Sequence, residues 1–357
     1  DQMEGFALEL EDELMNFSDV SYKSFVKSES EIITLFYDKF ADIPLLSRMD
    51  AVAETFIDEI ETLLNRDLPE EERIPLIEKF RKMYETMDFY VLYNRFLKKE
   101  GYQTLPRRPL EKRKLRYEDV YPVLYLKYRL SRQAERSNIK HLVIDEMQDY
   151  SRLQYLIIRR MFSCKMTILG DRAQTMADQQ QDVLQFLPGI FGKDLRRIEM
   201  RKSYRNTVEI ASYAANLIGV TDLELFERHG MPVLERDVTD LEAALREAVD
   251  TLLPDEKTYE TAAVIVPDEK TAERAYLILR GILAEKDFDC GKRLSWLNRD
   301  SSSFKKGLTV TTFYLAKGLE FDQVFSIFPK DEKREIMMQA QYIAATRALH
   351  ELRVYHI

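Results

Sequence analysis

Two adjacent carboxylates follow a short apolar run in the middle of the chain. The run His141–Ile144 leads directly into Asp145 and Glu146. At the end of a strand, one carboxylate can hold a magnesium-bound phosphate while the other orients or deprotonates a water molecule. An Asp-Glu pair after a strand is also common in solvated turns. The pair therefore points to phosphate chemistry only together with further residues.

Residues suited to phosphate contacts recur in four later segments. The amide of Gln174 can donate to a phosphate oxygen and accept from water. The planar guanidinium groups of Arg205 and Arg347 stay charged and can bind two phosphate oxygens at once. The four segments are Gly170-Asp171-Arg172-Ala173-Gln174, Arg201-Lys202-Ser203-Tyr204-Arg205-Asn206, Lys317-Gly318-Leu319-Glu320-Phe321-Asp322 and Gln341-Tyr342-Ile343-Ala344-Ala345-Thr346-Arg347. Any one of them alone would be a common loop or helix.

These segments lie among alternating strand and helix patterns that begin near residue 139. Short apolar runs bounded by polar or turn residues predict strands over 142–144, 166–169, 262–266, 308–312, 324–328 and 352–355. Amphipathic segments predict helices over 151–162, 206–218, 268–284 and 335–349. Such alternation implies crossover connections, so we expect an α/β fold with a largely parallel sheet. Ligands in such a fold lie beyond the carboxyl ends of the strands.

The first 130 residues have a different pattern. Apolar side chains recur there at helical spacing, as in Val52, Phe56, Ile60 and Leu63, with charged residues on the other faces. This pattern predicts a mainly helical region, either a bundle or an arm.

Charge is unevenly distributed along the chain. Residues 1–100 carry 12 basic and 24 acidic side chains, whereas residues 101–140 carry 11 basic and 4 acidic ones, including the basic loop LPRRPLEKRKLR at 105–116. The whole chain has a net charge of -9. The total charge gives no argument for nucleic-acid binding, although a local basic strip could still bind phosphates.

The composition excludes several classes of protein. The 357 residues are 45% hydrophobic and 32% charged, unlike a disordered, collagen-like or membrane protein. No stretch approaches the roughly 18 apolar residues of a membrane span, and the start of the chain is acidic, so we expect neither a membrane partner nor secretion. Cys164 and Cys290 form no CxxC, and the histidines have no ligand spacing. We expect free, buried thiols, a cytoplasmic location and no structural zinc.

Taken in order, the segments resemble the motifs of superfamily 1 helicases of the UvrD and Rep group. Motifs II to VI correspond to DEMQD at 145–149, GDRAQ at 170–174, SYR at 203–205, AKGLEFD at 316–322 and AATRA at 344–348. The resemblance covers about residues 139–357. It implies two RecA-like domains with ATP in the cleft between them, and translocation on single-stranded DNA.

The resemblance also implies roles for individual residues. Asp145 would bind magnesium, and Glu146 would activate the attacking water. Gln174 would sense the γ-phosphate, which Arg205 and Arg347 would reach from the second domain. The remaining implied contacts are Asp171, Gly318, Thr346 and Glu320 (to the ribose) for the nucleotide, and Tyr204, Thr311 and Thr312 for the nucleic acid. The implied ligands are ATP, magnesium and single-stranded or partly duplex DNA.

One element of that family's pattern does not occur in the sequence. There is no GxxxxGK[ST], since Gly192-Lys193 and Gly291-Lys292 are followed by Asp194 and Arg293. Without this loop, no cradle of backbone N–H groups holds the β-phosphate and no lysine reaches the γ-phosphate. We therefore expect this chain not to hydrolyse ATP by itself. Because the chain begins with Asp1, we expect a fragment of a longer protein; a natural pseudo-ATPase is the alternative.

Together with the change of pattern near residue 139, the resemblance implies three parts. Residues 1–138 would form a helical accessory region inserted in or flanking the first motor domain. Residues 139–196 would be the remainder of an incomplete first RecA-like domain, with motifs II and III. Residues 197–357 would form a complete second RecA-like domain, with motifs IV, V and VI.

Within superfamily 1, the closer resemblance is to the HelD-type branch of Gram-positive bacteria. It lies in KHLVIDEMQDYSRLQY, MTILGD and TTFYLAKGLEFDQVF. Members of that branch insert arms into RNA polymerase and release it from nucleic acid. The acidic front would suit such an arm, because an acidic surface can occupy a site built for nucleic acid. Our leading hypothesis is an ATP-dependent DNA helicase or translocase; the alternatives are an ATPase that acts on RNA polymerase and a non-catalytic interaction module.

Overall fold

A computed structural model of the chain forms two compact units. The structure describes residues 2–132, 138–175, 182–200, 202–220, 224–252, 259–286, 293–301, 306–330 and 335–357. Unit 1 comprises Asp1–Leu169 and Val183–Leu195, and unit 2 comprises Gly170–Asp182 and Arg196–Ile357.

Unit 1 is mainly helical. Its helices are α1 (Gln2–Glu13), α2 (Glu29–Thr34), α3 (Leu45–Leu64), α4 (Glu70–Arg81), α5 (Phe89–Lys99), α6 (Tyr117–Leu130), α7 (Arg152–Met161) and α8 (Val183–Phe191). A hairpin of β1 (Val20–Tyr22) and β2 (Phe25–Lys27) connects α1 to α2, and a π-helical turn, Leu35–Lys39, follows α2.

The apolar stripe of α3 packs into the core of unit 1. Val52, Phe56 and Ile60 are buried, as their helical spacing predicts. Leu63 belongs to the same helix, as predicted, but its side chain is 72% exposed. The buried stripe continues from Ile60 to Leu64, four residues on, and leaves Leu63 on the solvent side.

A small α/β element completes unit 1. Strand β3 (His141–Ile144) pairs in parallel with β4 (Lys165–Ile168), and α7 lies between them in the sequence. Helix α7 begins with a capping box, in which the Ser151 hydroxyl accepts from the backbone N–H of Gln154 and the Gln154 side chain accepts from Ser151. The carboxyl ends of β3 and β4 therefore lie side by side.

Unit 2 is built around a six-stranded parallel sheet. Its strands are β7 (Leu234–Asp237), β8 (Thr261–Val266), β9 (Leu294–Trp296), β10 (Gly307–Thr312), β11 (Phe321–Phe328) and β12 (Ala348–His356), in the order β7-β12-β11-β8-β10-β9. Its helices are α9 (Val208–Ile218), α10 (Leu241–Leu252), α11 (Glu269–Glu285) and α12 (Glu335–Thr346), and a short parallel pair joins β5 (Lys202–Ser203) to β6 (Glu224–Leu225).

Helices cover both faces of this sheet. On β8, Ala262, Val264 and Val266 belong to the cluster that contains α10 and α11. Ala263 and Ile265 point to the opposite face and pack with α9 and α12. The central strand is buried on both sides, which explains its continuous apolar sequence.

The predicted α/β fold class is confirmed. A parallel sheet, consistent with a RecA-like domain, follows a mainly helical region. The six predicted strands all form, as β3, β4, β8, β10, β11 and β12. The predicted helix 335–349 is too long, because α12 ends at Thr346 and the Arg347 carbonyl accepts from Phe321 N–H at 2.9 Å as the chain enters the sheet.

Of the two cysteines, the structure describes one. Cys164 is a free thiol, but it is half-buried instead of buried; Cys290 lies outside the described residues.

In the part of the chain that the structure describes, no helix has both the length and the apolar character needed to cross a membrane.

We expect alanine substitutions at two glycines of unit 2 to change the free energy of unfolding in opposite directions. A Cβ at Gly307, where φ is +109°, would lie 2.3 Å from the Arg293 carbonyl oxygen, whereas a Cβ at Gly281 in α11 meets nothing within 4 Å. We expect Gly307→Ala to lower the free energy of unfolding by at least about 2 kcal/mol and Gly281→Ala to raise it by about 0.5–1 kcal/mol. Urea denaturation of both variants measures the difference, and equal effects would contradict the strain at Gly307.

Candidate functional site

The strand-tip carboxylates of unit 1 lie where β3 and β4 end. Leu169 N–H donates to the Ile144 carbonyl at 2.8 Å, and Met147 N–H donates to the Leu169 carbonyl at 2.8 Å. These two bonds extend the strand pairing past its last residues and fix the turn that carries Asp145 and Glu146. Both carboxylates are thus held at the carboxyl edge of the sheet, where ligands bind in open α/β folds.

Glu146 adopts an unusual backbone conformation. Its φ is 53°, in the left-handed region that few residues other than glycine occupy. The Asp145 Oδ1 accepts from the backbone N–H of Glu146 at 2.8 Å, and the buried Gln148 amide donates to Glu146 Oε2. A strained residue held by several contacts is typical of functional sites.

Asp145 suits a hard divalent cation. Its side chain is exposed, and it makes no ion pair among the described residues. An accessible carboxylate that no arginine or lysine neutralises is the type of ligand that magnesium prefers. The donor chemistry of this residue therefore fits the implied metal.

In unit 2, Asp171 joins two predicted site segments. Its Oδ2 accepts from the Gln174 Nε2 at 3.0 Å and from the Tyr342 hydroxyl at 3.0 Å, while its Oδ1 accepts from the backbone N–H of Ala173 at 3.0 Å. Burial, and then the neighbouring Asp171 carboxylate, raise the pKa of Tyr342. The tyrosine therefore stays neutral and donates to Asp171.

Arg347 is buried directly beside this carboxylate network. Its side chain is only 2% exposed. The guanidinium donates to the Leu319 carbonyl and to the Gln174 Oε1, each at 3.4 Å, and to the Thr346 hydroxyl at 3.2 Å. A buried cation needs such acceptors, because its desolvation is costly. The long bond to Gln174 is one that a phosphate oxygen could replace.

A second arginine lies at the surface of the same unit. Arg205 Nε forms an ion pair with Glu320 Oε1 at 2.7 Å, and both side chains are nearly half exposed. Gly318, two residues before Glu320, has φ +77°, a conformation that favours glycine. The segment 318–320 thus contacts both arginines, Arg205 through Glu320 and Arg347 through Leu319.

Tyr204 belongs to an exposed aromatic pair. Its ring is 60% exposed and lies 5.7 Å from the ring of Phe226, and Lys202 Nζ lies over both rings. The next residue but one, Asn206, is buried and donates to the Thr346 and Ala348 carbonyls at 3.2 and 2.7 Å. Tyr204 is therefore an accessible ring on a firmly attached backbone.

Thr311 and Thr312 lie inside β10 and are both buried. The Thr311 hydroxyl donates to the Leu297 carbonyl at 3.2 Å. The Thr312 hydroxyl is buried without a hydrogen-bond partner among the described residues. Their contact with nucleic acid stays a prediction.

The structure of unit 2 brings together Asp171, Gln174, Thr346 and Arg347, and it pairs Arg205 with Glu320. Sequence reasoning did not include Tyr342 or Asn206 in the site. One signal could have indicated Tyr342: it precedes Thr346 by four residues, so both lie on the same face of α12. No comparable signal marks Asn206, whose neighbour Thr207 caps α9 by accepting from Ile210 N–H.

The first part of the chain matches a known family. Residues 8–176 match the family model described as UvrD/REP helicase N-terminal domain. This range includes the helical region as well as DEMQD and GDRAQ, so it begins well before residue 139. No curated protein matches the chain significantly.

Three solved structures are partly similar. The C-terminal domain of a "possible DNA helicase" from Lactobacillus plantarum WCFS1 is 24% identical, with a TM-score of 0.34, over 43% of this chain and 88% of that one. The PRRSV helicase is 14% identical, with a TM-score of 0.36, over 75% and 45%. An arterivirus nonstructural protein 10 (helicase) in complex with DNA is 14% identical, with a TM-score of 0.35, over 75% and 51%. The matches span about half the length of the two viral helicases.

The Tyr342 hydroxyl can be tested as a support of the 171–174 segment. We expect Tyr342→Phe to speed amide hydrogen exchange in residues 171–174, because Asp171 loses one of its donors, while exchange in β11 stays unchanged. Tyr213→Phe is the matched control, since it removes a tyrosine bond to Glu235, at 3.2 Å, elsewhere in unit 2. Equal exchange in the two variants would exclude the supporting role.

The raised pKa of Tyr342 also predicts a pH dependence. A tyrosine whose pKa is raised by folding stabilises the protein fully below its unfolded pKa of about 10, and this stability is lost as the pH rises toward the folded value. From about pH 9 to 11, the free energy of unfolding should therefore fall more steeply for the wild type than for Tyr342→Phe, by roughly 1 kcal/mol. Denaturant titrations at several pH values measure both slopes; parallel slopes would contradict the raised pKa.

Proposed function

We propose that the chain, whose residues 8–176 match the UvrD/REP helicase N-terminal domain, acts in an ATP-dependent superfamily 1 helicase or translocase. ATP hydrolysis would drive movement along single-stranded or partly duplex DNA. The observation that carries the proposal is the buried contact between Arg347 and Gln174, at 3.4 Å. It joins a cation and an amide, two groups suited to a γ-phosphate, in one network.

The carboxylates of unit 1 have separate roles in this proposal. Asp145 would hold magnesium, which when bound would neutralise charge on the phosphates. Glu146 would orient the attacking water and accept its proton. Its left-handed backbone and its bond from Gln148 support this role, because they fix the direction of the carboxylate.

The network in unit 2 has the properties of a γ-phosphate sensor. Gln174 Oε1 accepts from Arg347, and its Nε2 donates to Asp171. A phosphate oxygen is a stronger acceptor for a guanidinium than a neutral amide oxygen, because the phosphate is negatively charged and can accept two parallel N–H bonds. Arg347 would therefore turn from Gln174 to the phosphate, and the freed amide could hold the attacking water.

The remaining predicted contacts belong to the same proposal. Arg205 would exchange its Glu320 partner for a phosphate oxygen, and the freed Glu320 would accept from the ribose. Asp171, Gly318 and Thr346 would shape the nucleotide site. The nucleic-acid contacts would be the exposed ring of Tyr204 and the segment at Thr311 and Thr312.

The chain alone should not hydrolyse ATP. Its 357 residues contain no GxxxxGK[ST], so they supply neither the phosphate cradle nor the lysine that this chemistry requires. We expect no phosphate release above background from the isolated chain. Hydrolysis at an ordinary enzymatic rate would overturn this part of the proposal.

An action on RNA polymerase is the second candidate function. It is favoured by the acidic front, where residues 1–100 carry 24 acidic and 12 basic side chains, since an acidic surface can compete for a channel that binds nucleic acid. Co-purification with polymerase without strand separation would support it. Strand separation by the purified protein would support the helicase, and the absence of both would leave a non-catalytic module.

Glu146→Gln tests the proposed base. In the product of the whole natural reading frame, assayed with single-stranded DNA, we expect the variant to bind ATP normally and to lose about 10²- to 10⁴-fold in kcat. The exposed Glu71→Gln, also in unit 1, is the control and should turn over normally. Near-normal turnover by Glu146→Gln would refute the assigned role.

A further inference from the structure

A basic strip lies in the otherwise acidic unit 1. We define it as residues 105–116, which contain six basic side chains and one acidic side chain. The preceding 100 or so residues of the same unit are strongly acidic. Like charges repel each other, so a concentration of cations on one short segment needs a physical reason.

The backbone of the strip is firmly attached at its start. Leu105 is buried, and its N–H donates to the Asn94 Oδ1 at 2.7 Å. The Tyr90 hydroxyl donates to the Pro106 carbonyl at 2.8 Å. Both partners belong to α5, so the strip begins on a fixed helix instead of in a free loop.

Arg113 holds the strip against the start of the same helix, α5. Its Nη1 binds Asp88 at 2.6 Å, and its guanidinium lies 4.7 Å from the ring centre of Tyr90. Its Nε donates to the Arg108 carbonyl at 3.0 Å. One arginine thus fixes both the position of the strip and its internal turn.

Arg116 attaches the far end of the strip. Its Nε binds Asp119 Oδ2 at 2.9 Å, and Asp119 is buried and also accepts from the Tyr93 hydroxyl at 2.9 Å. Arg113 and Arg116 therefore hold the strip in place.

The other four basic side chains do not hold the strip in place. Arg107, Arg108, Lys112 and Lys114 are all exposed, and none has an ion-pair partner among the residues that the structure describes. Four uncompensated charges on an ordered segment form a preorganised site for a polyanion, because little side-chain and backbone order must be created on binding.

Aromatic rings border the strip and indicate the type of polyanion. Tyr117, the residue directly after the strip, is 77% exposed, with its ring edge-on to Tyr121 at 5.9 Å. Tyr102, three residues before the strip, is 55% exposed. Exposed rings beside unpaired cations are the combination that binds single-stranded nucleic acid, in which phosphates meet cations and bases stack on rings. An acidic peptide or an anionic membrane would use the charges without requiring such a ring.

We propose that the basic strip, together with Tyr117, is a contact surface for single-stranded nucleic acid in unit 1. Arg107, Arg108, Lys112 and Lys114 bind phosphates, and the Tyr117 ring stacks on a base. The inference rests on the proposed function and deepens it, since it adds a place that holds the strand independently of the nucleotide.

The salt dependence of binding tests the four cations. Binding of a labelled 20-nucleotide oligo(dT) to the 357-residue chain is measured by fluorescence anisotropy without nucleotide, from 50 to 200 mM salt. Each phosphate contact contributes about 0.7 to the slope of log K against log salt for a single strand. Replacing Arg107, Arg108, Lys112 and Lys114 by Gln should therefore lower the slope by about 3 and remove about 50-fold of the salt effect over this range.

A matched control separates the strip from the total charge. Replacing Arg66, Arg159, Lys82 and Lys98, which are exposed in the same unit, by Gln removes the same charge. This control should keep the wild-type slope. If the slope of log K against log salt decreases equally in both variants, or in neither, the proposal is overturned. Circular dichroism checks that both variants are folded.

Base stacking is tested separately. Tyr117→Ala should weaken oligo(dT) binding about 5- to 150-fold, while Tyr117→Phe, which keeps the ring, should bind as the wild type does. With an abasic oligonucleotide of the same length, the wild type and Tyr117→Ala should bind equally. Equal losses on both oligonucleotides, or tighter binding of a polyglutamate peptide of equal charge, would overturn nucleic acid as the ligand.

The outcome is distinguishable from that of the proposed function. If Glu146→Gln loses turnover but the four-residue strip variant keeps its salt slope, nucleic-acid binding by the strip is overturned and the proposed motor function is retained. If the strip variant has a lower salt slope but Glu146→Gln turns over normally, the proposal for the strip is retained and the role of Glu146 as the base is overturned.

Discussion

The guanidinium of Arg347 is the group on which unit 2 depends most. It is nearly completely buried, and an interior charge is tolerated only with well-placed acceptors. Those acceptors come from distant parts of the sequence, the Gln174 amide and the Leu319 carbonyl among them. The requirement to satisfy one cation therefore fixes where three separate segments must meet.

The parallel sheet makes that convergence possible. β11 and β12 pair along most of their length, and α12 connects them. The turn between α12 and β12 carries Arg347, and its carbonyl groups at Thr346 and Ala348 accept from Asn206. Covalent continuity with two core strands thus gives the arginine a rigid base.

Unit 1 uses its arginines in two different ways. Arg113 is paired with Asp88 at the start of α5, Arg116 is paired with Asp119 in α6, and the two pairs hold the loop in place. The cations between and before them are exposed and unpaired within the described residues. In a unit whose first 100 residues are so acidic, this division indicates that the loop is ordered by some of its charges in order to present the others. At the end of β3, the bond from Gln148 and the left-handed backbone likewise restrict the Glu146 carboxylate.

The sequence by itself determined the central strand β8, because this strand is buried on both faces and is continuously apolar from Ala262 to Val266. It also determined which chemical groups are present at the strand ends. It did not reveal β7 and β9, short edge strands that form by pairing with β12 and β10. Only the tertiary structure decided that Arg347 meets Gln174, 173 positions away, and that Tyr342 donates to Asp171. Such contacts leave no local pattern, because they arise from the packing of α12 and not from the spacing of neighbouring residues.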